Sequence, residues 1–245
     1  MTDSHVSRPT NQTHPMVGVI GGMGPDATVE FMQRVINATP AQDDADHIHL
    51  LVDNNPKVPS RIKALIEGNG EDPGPTIAAM AQRLEDAGAH FLVMPCNTAH
   101  YYWEHAERAV AIPVWNMIWL TLNAVHAAVP DARIGMLASP ALRKIGLYER
   151  YADDLELTLV YPGDEDALLE VIRAVKRGEK RHADTLNAFN RAAEDLSRQG
   201  ADVLVLACTE LSVIQESLNT AVPVYDSLQV LAEEVVRAVE GVKAE

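Results

Sequence analysis

The sequence is poor in cysteine and in aromatic residues. Of its 245 residues only two are cysteine, and 5% are Phe, Trp or Tyr. Two cysteines cannot supply the disulfide framework of a small secreted domain, and their spacing offers too few soft or imidazole ligands for a zinc site. We therefore expect two free thiols, no metal, and a reducing compartment such as the cytoplasm.

Positive charge and long apolar runs are also scarce. The formal net charge is −15, and no basic run exceeds two residues. Nucleic acid and anionic membranes bind clustered positive charge, so we expect neither as a partner. No stretch reaches the roughly 20 apolar residues of a membrane-spanning helix. Residues 1–15 lack the apolar core of a signal peptide and are interpreted as a disordered tail.

What the sequence does contain is an alternation of short apolar runs with helical periodicity, in a chain that is 47% hydrophobic. The runs predict buried strands at 17–20, 48–52, 91–94, 134–137, 157–160 and 203–206. The periodic segments predict helices at 25–37, 76–87, 167–177, 182–199 and 228–242. Strands that alternate with helices favour parallel sheets, and therefore an α/β fold.

Three landmarks occur twice in the same order. The first half contains MVGVIGGMGPDA, FLVMPCNTAH and IPVWNM, and the second half contains RIGMLASPALRK, VLVLACTELS and VPVYDS. Such recurrence indicates two copies of one unit. We expect two pseudo-symmetric, Rossmann-like parallel-sheet domains, at 16–118 and 119–227, with the active site in the cleft between them. The C-terminal helix, 228–245, is expected to join the first domain.

Each copy carries one of the two cysteines at the end of a predicted strand. Cys96 and Cys208 would therefore lie at the carboxyl edges of their sheets, where such folds bind ligands; the alternative is that both are small buried residues. A thiol, with a pKa of about 8.5, can donate a proton or, as thiolate, accept one. Two thiols facing one carbon would remove a proton from one side and return it on the other, which is racemase chemistry.

Four motifs resemble those of the aspartate/glutamate racemase family, whose enzymes work without pyridoxal phosphate. They are GVIGGMGP (18–25), NNPKVPSR (54–61), PCNTAH (95–100) and ACTEL (207–211), and the resemblance covers nearly the whole chain from about Val17. It implies two α/β domains with the active site between them, no cofactor, and commonly a homodimer. Cys96 and Cys208 match the two catalytic cysteines of the family.

The resemblance also implies residues that hold the substrate. Arg61 matches a position that binds the side-chain carboxylate, for which a guanidinium fork is well shaped, and Lys176 matches a lysine that reaches the cleft. The alternatives are a solvated loop arginine and a surface lysine. Ser139 replaces one hydroxyl of a threonine-rich family turn, while Arg143 in the same turn would meet a second carboxylate or solvent.

Polar residues beside the thiols are further candidates. Asn97, Thr98 and Thr209 could hydrogen-bond the substrate α-carboxylate or cap the following helices. Asn54 could bind the amino or carboxylate group, or shape a turn with its neighbour before Pro56. The neighbours of the cysteines, His100 and Glu210, could tune thiol acidity or be structural.

The predicted function is therefore racemisation of aspartate, glutamate or a related acidic amino acid. The ASPALRK turn departs from the family pattern and leaves open a non-acidic amino acid. The same residues are compatible with a maleate isomerase-like or arylmalonate decarboxylase-like enzyme, with a hydrolase built on Cys96 and His100, and with a non-catalytic carboxylate-binding protein.

Overall fold

The computed structural model describes residues 15–243, and these divide into two compact units. The first unit contains residues 15–117 and 228–243, and the second contains Ile118–Ser227. The C-terminal helix thus groups with the first unit. The predicted tail, 1–15, lies outside the described residues except for Pro15.

Within residues 15–243, seven strands pair in parallel to form two sheets. The strands are β1 Val17–Gly21, β2 Leu50–Asn54, β3 Phe91–Val93, β4 Arg133–Ala138, β5 Thr158–Val160, β6 Val203–Ala207 and β7 Val224–Asp226. The first sheet has the order β2-β1-β3, and the second has the order β5-β4-β6-β7. The α/β fold class with parallel sheets is confirmed.

Helices connect the strands. In the described part of the chain the α-helices are α1 Pro25–Ala38, α2 Gly74–Asp86, α3 Trp103–Glu107, α4 Met117–Ala128, α5 Pro140–Lys144, α6 Glu149–Ala152, α7 Glu165–Lys176, α8 Ala183–Arg198, α9 Thr209–Ser212 and α10 Ser227–Lys243. Short 3-10 turns lie at Asp44–Asp46, Thr98–Tyr102, Asp153–Leu155 and Gln215–Ser217, and a π-helical turn lies at Lys63–Glu67. None of the helices formed by residues 15–243 combines the length and apolar composition needed to cross a bilayer.

The second strand begins two residues later than predicted. The sequence pattern starts the second strand at residue 48, whereas β2 starts at Leu50. The side chain of Asp43 caps a 3-10 turn, and the Asp46 carboxylate binds the backbone of Asp43 in return. This reciprocal cap keeps the chain in a turn, and pairing with β1 begins where the His49 carbonyl accepts from the Val17 N–H at 3.0 Å.

The two sheets repeat one pattern of neighbours. In each, the first strand of the unit lies between the second and the third, and the chain then returns beside the third strand. The returning segments pair in the same way: the Leu92 N–H donates to the Pro113 carbonyl, and the Leu204 N–H donates to the Pro223 carbonyl, both at 2.8 Å. The duplication indicated by the sequence landmarks is thus present in the backbone.

A close approach at one glycine recurs in both units. A Cβ added to Gly18 would lie 2.4 Å from Leu92 Cδ2, and one added to Gly135 would lie 2.6 Å from Leu204 Cδ2. Matching side chains complete the contact, namely Leu84 and Ala89 in the first unit and Leu196 and Ala201 in the second. In each unit the central strand therefore contacts the third strand, and the helix that precedes the third strand, at a point where only glycine fits.

This contact predicts a specific loss of stability. Replacing Gly135 by alanine puts a methyl group against the buried Leu204, Leu196 and Ala201, so we expect the free energy of unfolding to fall by about 1–3 kcal/mol. Urea unfolding followed by circular dichroism measures it. Gly163→Ala is the matched control, because its added Cβ lies 3.6 Å from its nearest neighbour, Asp195 Oδ2. Equal stability of the two variants would contradict the packing described.

Candidate active site

The first unit gathers its candidate residues at one edge of its sheet. The segments that follow β1, β2 and β3 are 22–24, 55–61 and 94–98, and the carboxyl ends of parallel strands meet at the same edge. Cys96 lies in the third segment with 7% of its surface exposed. Its backbone N–H donates to the Met94 carbonyl at 2.8 Å, which fixes the turn that carries the thiol.

The buried His100 braces this turn through the backbone. Its Nε2 accepts from the Met117 N–H at 3.0 Å, so the ring proton resides on Nδ1, which donates to the Cys96 carbonyl at 2.9 Å. Burial lowers the pKa of His100 to about 4, so the ring is neutral at physiological pH. Both ring nitrogens thus bind backbone groups, which removes the base that a hydrolase built on Cys96 and His100 would need.

Arg61 lies at the same edge and binds only neutral acceptors. Its guanidinium donates to the carbonyls of Val58, Pro59 and Met23 at 3.3, 2.9 and 3.0 Å. No carboxylate within residues 15–243 pairs with it. Burial raises the pKa of Tyr102, whereas the charge of Arg61 lowers it, so the guanidinium acts on the helical turn that follows Cys96. Arg61 therefore keeps an uncompensated charge and further N–H groups for an incoming carboxylate.

The asparagine and threonine candidates of this unit occupy different surroundings. Asn54 is the exposed last residue of β2, whereas its neighbour Asn55 accepts from the Lys57 N–H at 3.0 Å and shapes the turn. Asn97 is buried and Thr98 half-buried. The Asn97 side chain does not cap the 3-10 turn that begins at Thr98.

In the second unit the thiol of Cys208 belongs to a chain of polar contacts. Cys208 is 6% exposed, and its Sγ donates to Glu210 Oε2 at 3.2 Å. The other oxygen, Oε1, lies 3.2 Å from Lys176 Nζ. Burial raises the pKa of the Cys208 thiol well above its ordinary value, the Glu210 charge raises it further, and Lys176 lowers it. Cys208 is consequently held as the neutral thiol.

The remaining candidates of the second unit flank this chain. Lys176 ends α7 and its ammonium is paired with Glu210, so it is not simply a solvated surface lysine. The Ser139 hydroxyl accepts from the Ala141 N–H at 3.3 Å and caps α5. Thr209 is buried and begins α9, where the capping position is taken by Cys208 rather than by a threonine.

The atypical ASPALRK segment, most of which forms α5, is explained by contacts within the unit. Arg143 pairs with Glu165 at the start of α7 and lies 4.9 Å from the centre of the Tyr161 ring. The Tyr161 hydroxyl in turn donates to Glu149 at 2.8 Å. No substrate carboxylate is therefore needed to account for this arginine, whose side chain is 54% exposed to solvent. The residue that departs from the family pattern, Arg143, links α5 to α7 through its ion pair with Glu165.

Several buried polar residues near Cys208 were not predicted from the sequence. Ser212 donates to Asp226 Oδ1 at 2.6 Å, and Ser227 donates to the Leu206 carbonyl at 2.8 Å. Burial raises the pKa of Tyr148, and the nearby charge of Asp226 raises it further. The sequence did contain a signal for these residues. VPVYDS corresponds to IPVWNM in the first half, and each segment pairs with the strand that precedes a cysteine.

The structure therefore groups the candidates by unit. Asn54, Arg61, Asn97 and Thr98 share a sheet edge with Cys96, and Ser139, Lys176 and Thr209 belong to the unit of Cys208. Both cysteines are free. Within residues 15–243 no group of three or more His, Cys, Asp or Glu side chains is arranged to hold a metal ion. These features define a duplicated parallel α/β protein with one thiol at the carboxyl edge of each sheet.

Comparison with known proteins identifies the family. Residues 20–235 match the family described as Asp/Glu/Hydantoin racemase. The chain belongs to that family, and the resemblance drawn from its motifs is confirmed. The predicted enzyme class, an isomerase of the racemase type, is confirmed at the same level.

Individual relatives agree with this assignment. The chain is 32% identical to the solved Picrophilus torridus aspartate racemase, with a TM-score of 0.79, covering 92% of this chain and 94% of that one. It is 26% identical to the broad specificity amino-acid racemase RacX of Bacillus subtilis over 90% of this chain and 96% of the relative. It is 27% identical to a glutamate racemase of Pseudomonas paraeruginosa, but that match covers 63% of this chain and only 59% of the relative.

The buried His100 makes the stability of the fold depend on pH. Since its pKa is lowered from 6.5 to about 4, the folded state resists protonation that the unfolded state accepts. The contribution of the neutral His100 to the free energy of unfolding is fully present above about pH 6.5. It is lost as the pH falls to about 4, by about 3 kcal/mol in total. Unfolding in urea at pH 7 and pH 4 should show a smaller difference for His100→Gln than for the wild type. Replacing the exposed His49 by glutamine should leave the difference unchanged, and an unchanged difference in His100→Gln would contradict the assignment.

Proposed function

We propose that this protein is a cofactor-independent amino-acid racemase in which Cys96 and Cys208 serve opposite faces of one substrate Cα. The observation that carries the proposal is the equivalence of the two thiols. Each follows, by four residues, the leucine that covers the central glycine of its sheet, and each lies at the carboxyl edge of that sheet. A duplicated unit with one acid–base group per copy suits a reaction whose two directions are mirror images.

The proposed reaction is a pair of proton transfers. One cysteine, as thiolate, takes the Cα proton and becomes a thiol, which leaves a planar carbon with carbanion character. The other thiol gives its proton to the opposite face and becomes a thiolate, so protons and charge balance. Hydrogen bonds from Asn97, Thr98 and Thr209 to the α-carboxylate would stabilise the charge that develops there. The next turnover of the opposite enantiomer uses the same groups in reversed roles.

Acidic amino acids are the proposed substrates. Arg61 supports this choice, because among residues 15–243 it bonds backbone carbonyls and no carboxylate, so its charge remains available to a side-chain carboxylate. The aspartate racemase relative, which is similar over 92% of this chain, points the same way. Asn54 and Ser139 would complete the contacts with the substrate. The second candidate is a racemase of non-acidic amino acids, which the full-length similarity to a broad specificity racemase favours.

Two related chemistries are less well supported. An arylmalonate decarboxylase-like reaction needs only one thiol, whereas this chain keeps one in each unit. A maleate isomerase-like reaction would use both, and it differs from racemisation in its substrate, a diacid without an amino group. Testing amino acids and diacids side by side separates the two.

We also propose that the protein works as a homodimer in the cytoplasm. The family resemblance supports the dimer, and the two free thiols support a reducing compartment.

Isotope exchange tests the proposed reaction. In deuterium oxide the wild type should invert L- and D-aspartate or glutamate and incorporate deuterium at Cα. Cys96→Ser and Cys208→Ser should each lose inversion by at least about 1000-fold, since a serine hydroxyl is a far weaker acid than a thiol and does not form its conjugate base near neutral pH. Exchange without inversion can persist with one enantiomer, because the remaining thiol still serves its own face. Chiral chromatography and mass spectrometry read both quantities, and full inversion by either variant would contradict the two-thiol reaction.

A substitution at Arg61 tests the substrate class. Arg61→Lys removes the fork that binds the three carbonyls and a carboxylate together. We expect kcat/KM for aspartate or glutamate to fall by about 30–100-fold, the equivalent of losing about 2–3 kcal/mol of charged hydrogen bonds. Any activity on alanine should fall much less. Arg83→Lys is the matched control, because Arg83 pairs with Asp53 in the same unit. An equal loss on acidic and neutral substrates would contradict a carboxylate-binding role.

A further inference from the structure

Three side chains from two helices and a strand end form a continuous contact in the second unit. The Cys208 thiol lies against one oxygen of Glu210, and Lys176 lies against the other. Glu210 is 8% exposed, so its charge is poorly solvated and depends on these two partners. The Glu210 backbone N–H also bonds the sulfur.

We propose that Lys176 and Glu210 act through Cys208: the ammonium holds the carboxylate against the thiol, and the carboxylate keeps Cys208 protonated as the resting proton donor. Lys176 is thus a positioning residue of the second unit. This inference rests on the proposed racemase function and adds to it a starting state, in which Cys208 carries the proton when the substrate arrives.

The arrangement also affects the reverse transfer. Once Cys208 has given its proton away, the thiolate and the Glu210 carboxylate lie side by side, and the Lys176 ammonium on the other carboxylate oxygen is one positive charge against two negative ones. Such a thiolate is a strong base, because a raised thiol pKa means a high affinity for the proton. It is therefore suited to take a proton from the weakly acidic Cα of the opposite enantiomer. The same contact that makes Cys208 a reluctant acid makes it an effective base.

The other ionisable groups near the thiol do not replace this contact. Tyr148 is fully buried, and its pKa is raised by burial, so it is neutral. Asp226 accepts a hydrogen bond from Ser212 and adjoins β6 through β7. Neither residue is altered in the Glu210 and Lys176 variants, so a change in the titration of Cys208 reports on the latter pair.

Titration of the single remaining thiol tests the inference. In Cys96→Ser, Cys208 is the only cysteine, and its alkylation by iodoacetamide can be followed against pH without substrate. Adding Glu210→Gln should lower the midpoint by about one pH unit and speed alkylation about tenfold below it, since a negative neighbour and acceptor is lost. Adding Lys176→Met should raise the midpoint and slow alkylation about tenfold, since the negative charge of Glu210 beside the thiol is then no longer offset by the ammonium. Ultraviolet absorbance of the thiolate provides a second readout.

Two further variants show that Lys176 works through Glu210. In the Glu210→Gln background, Lys176→Met should shift the midpoint by less than half as much as it does alone. Lys176→Arg should restore the wild-type midpoint, because the charge is retained. Arg173→Met is the matched control, as it removes a cation from the same helix that contacts Glu170 instead.

An unchanged or higher midpoint in Glu210→Gln would overturn the inference, as would an unchanged or lower midpoint in Lys176→Met. Because no substrate is present, these outcomes are independent of racemisation. Normal midpoint shifts without any racemase activity would overturn the proposed function alone, and normal racemisation without the shifts would overturn this inference alone.

Discussion

The contact between a central glycine and a leucine of the neighbouring strand sets the geometry of both units. At Gly18 and Gly135 the leucine side chain approaches so closely that any Cβ would collide. This contact fixes the distance between the first and third strands of each unit and seats the intervening helix on them. The third strand then ends in the cysteine-bearing turn four residues beyond the leucine. The position of each thiol thus follows from packing in the core rather than from contacts made by the thiol itself.

Duplication has preserved this framework but not the surroundings of the two thiols. The turn at Cys96 is braced by His100, a neutral side chain that binds only backbone groups there. The turn at Cys208 carries Glu210 two residues later, and Lys176 reaches it from α7. The turn of Cys96 is therefore held by the neutral His100, whereas Cys208 lies beside one negative and one positive side chain, Glu210 and Lys176. The two halves of the proposed reaction have the same geometry and different electrostatics.

Local patterns predicted much of the fold, because buried parallel strands and their helices leave short-range signals. Apolar runs located six of the seven strands to within about two residues, and the recurrence of three landmarks revealed the repeated unit. Side-chain partners between distant segments were beyond such patterns. The pairing of Arg143 with Glu165, and that of Glu210 with Lys176, depend on how α7 packs against α5 and α9. The buried role of His100 depends likewise on the return of the chain at residue 117, which the histidine's own surroundings in the sequence do not reveal.

The central claim is that Cys96 and Cys208 serve one substrate carbon, and a short bifunctional thiol reagent tests it most directly. Dibromobimane becomes fluorescent only when it has joined two thiols, and this chain has only two. The account predicts a fluorescent monomer in which one bimane bridges Cys96 and Cys208, and aspartate or glutamate should slow its formation. Separate single adducts on the two cysteines, with no bridged product under native conditions, would contradict the account.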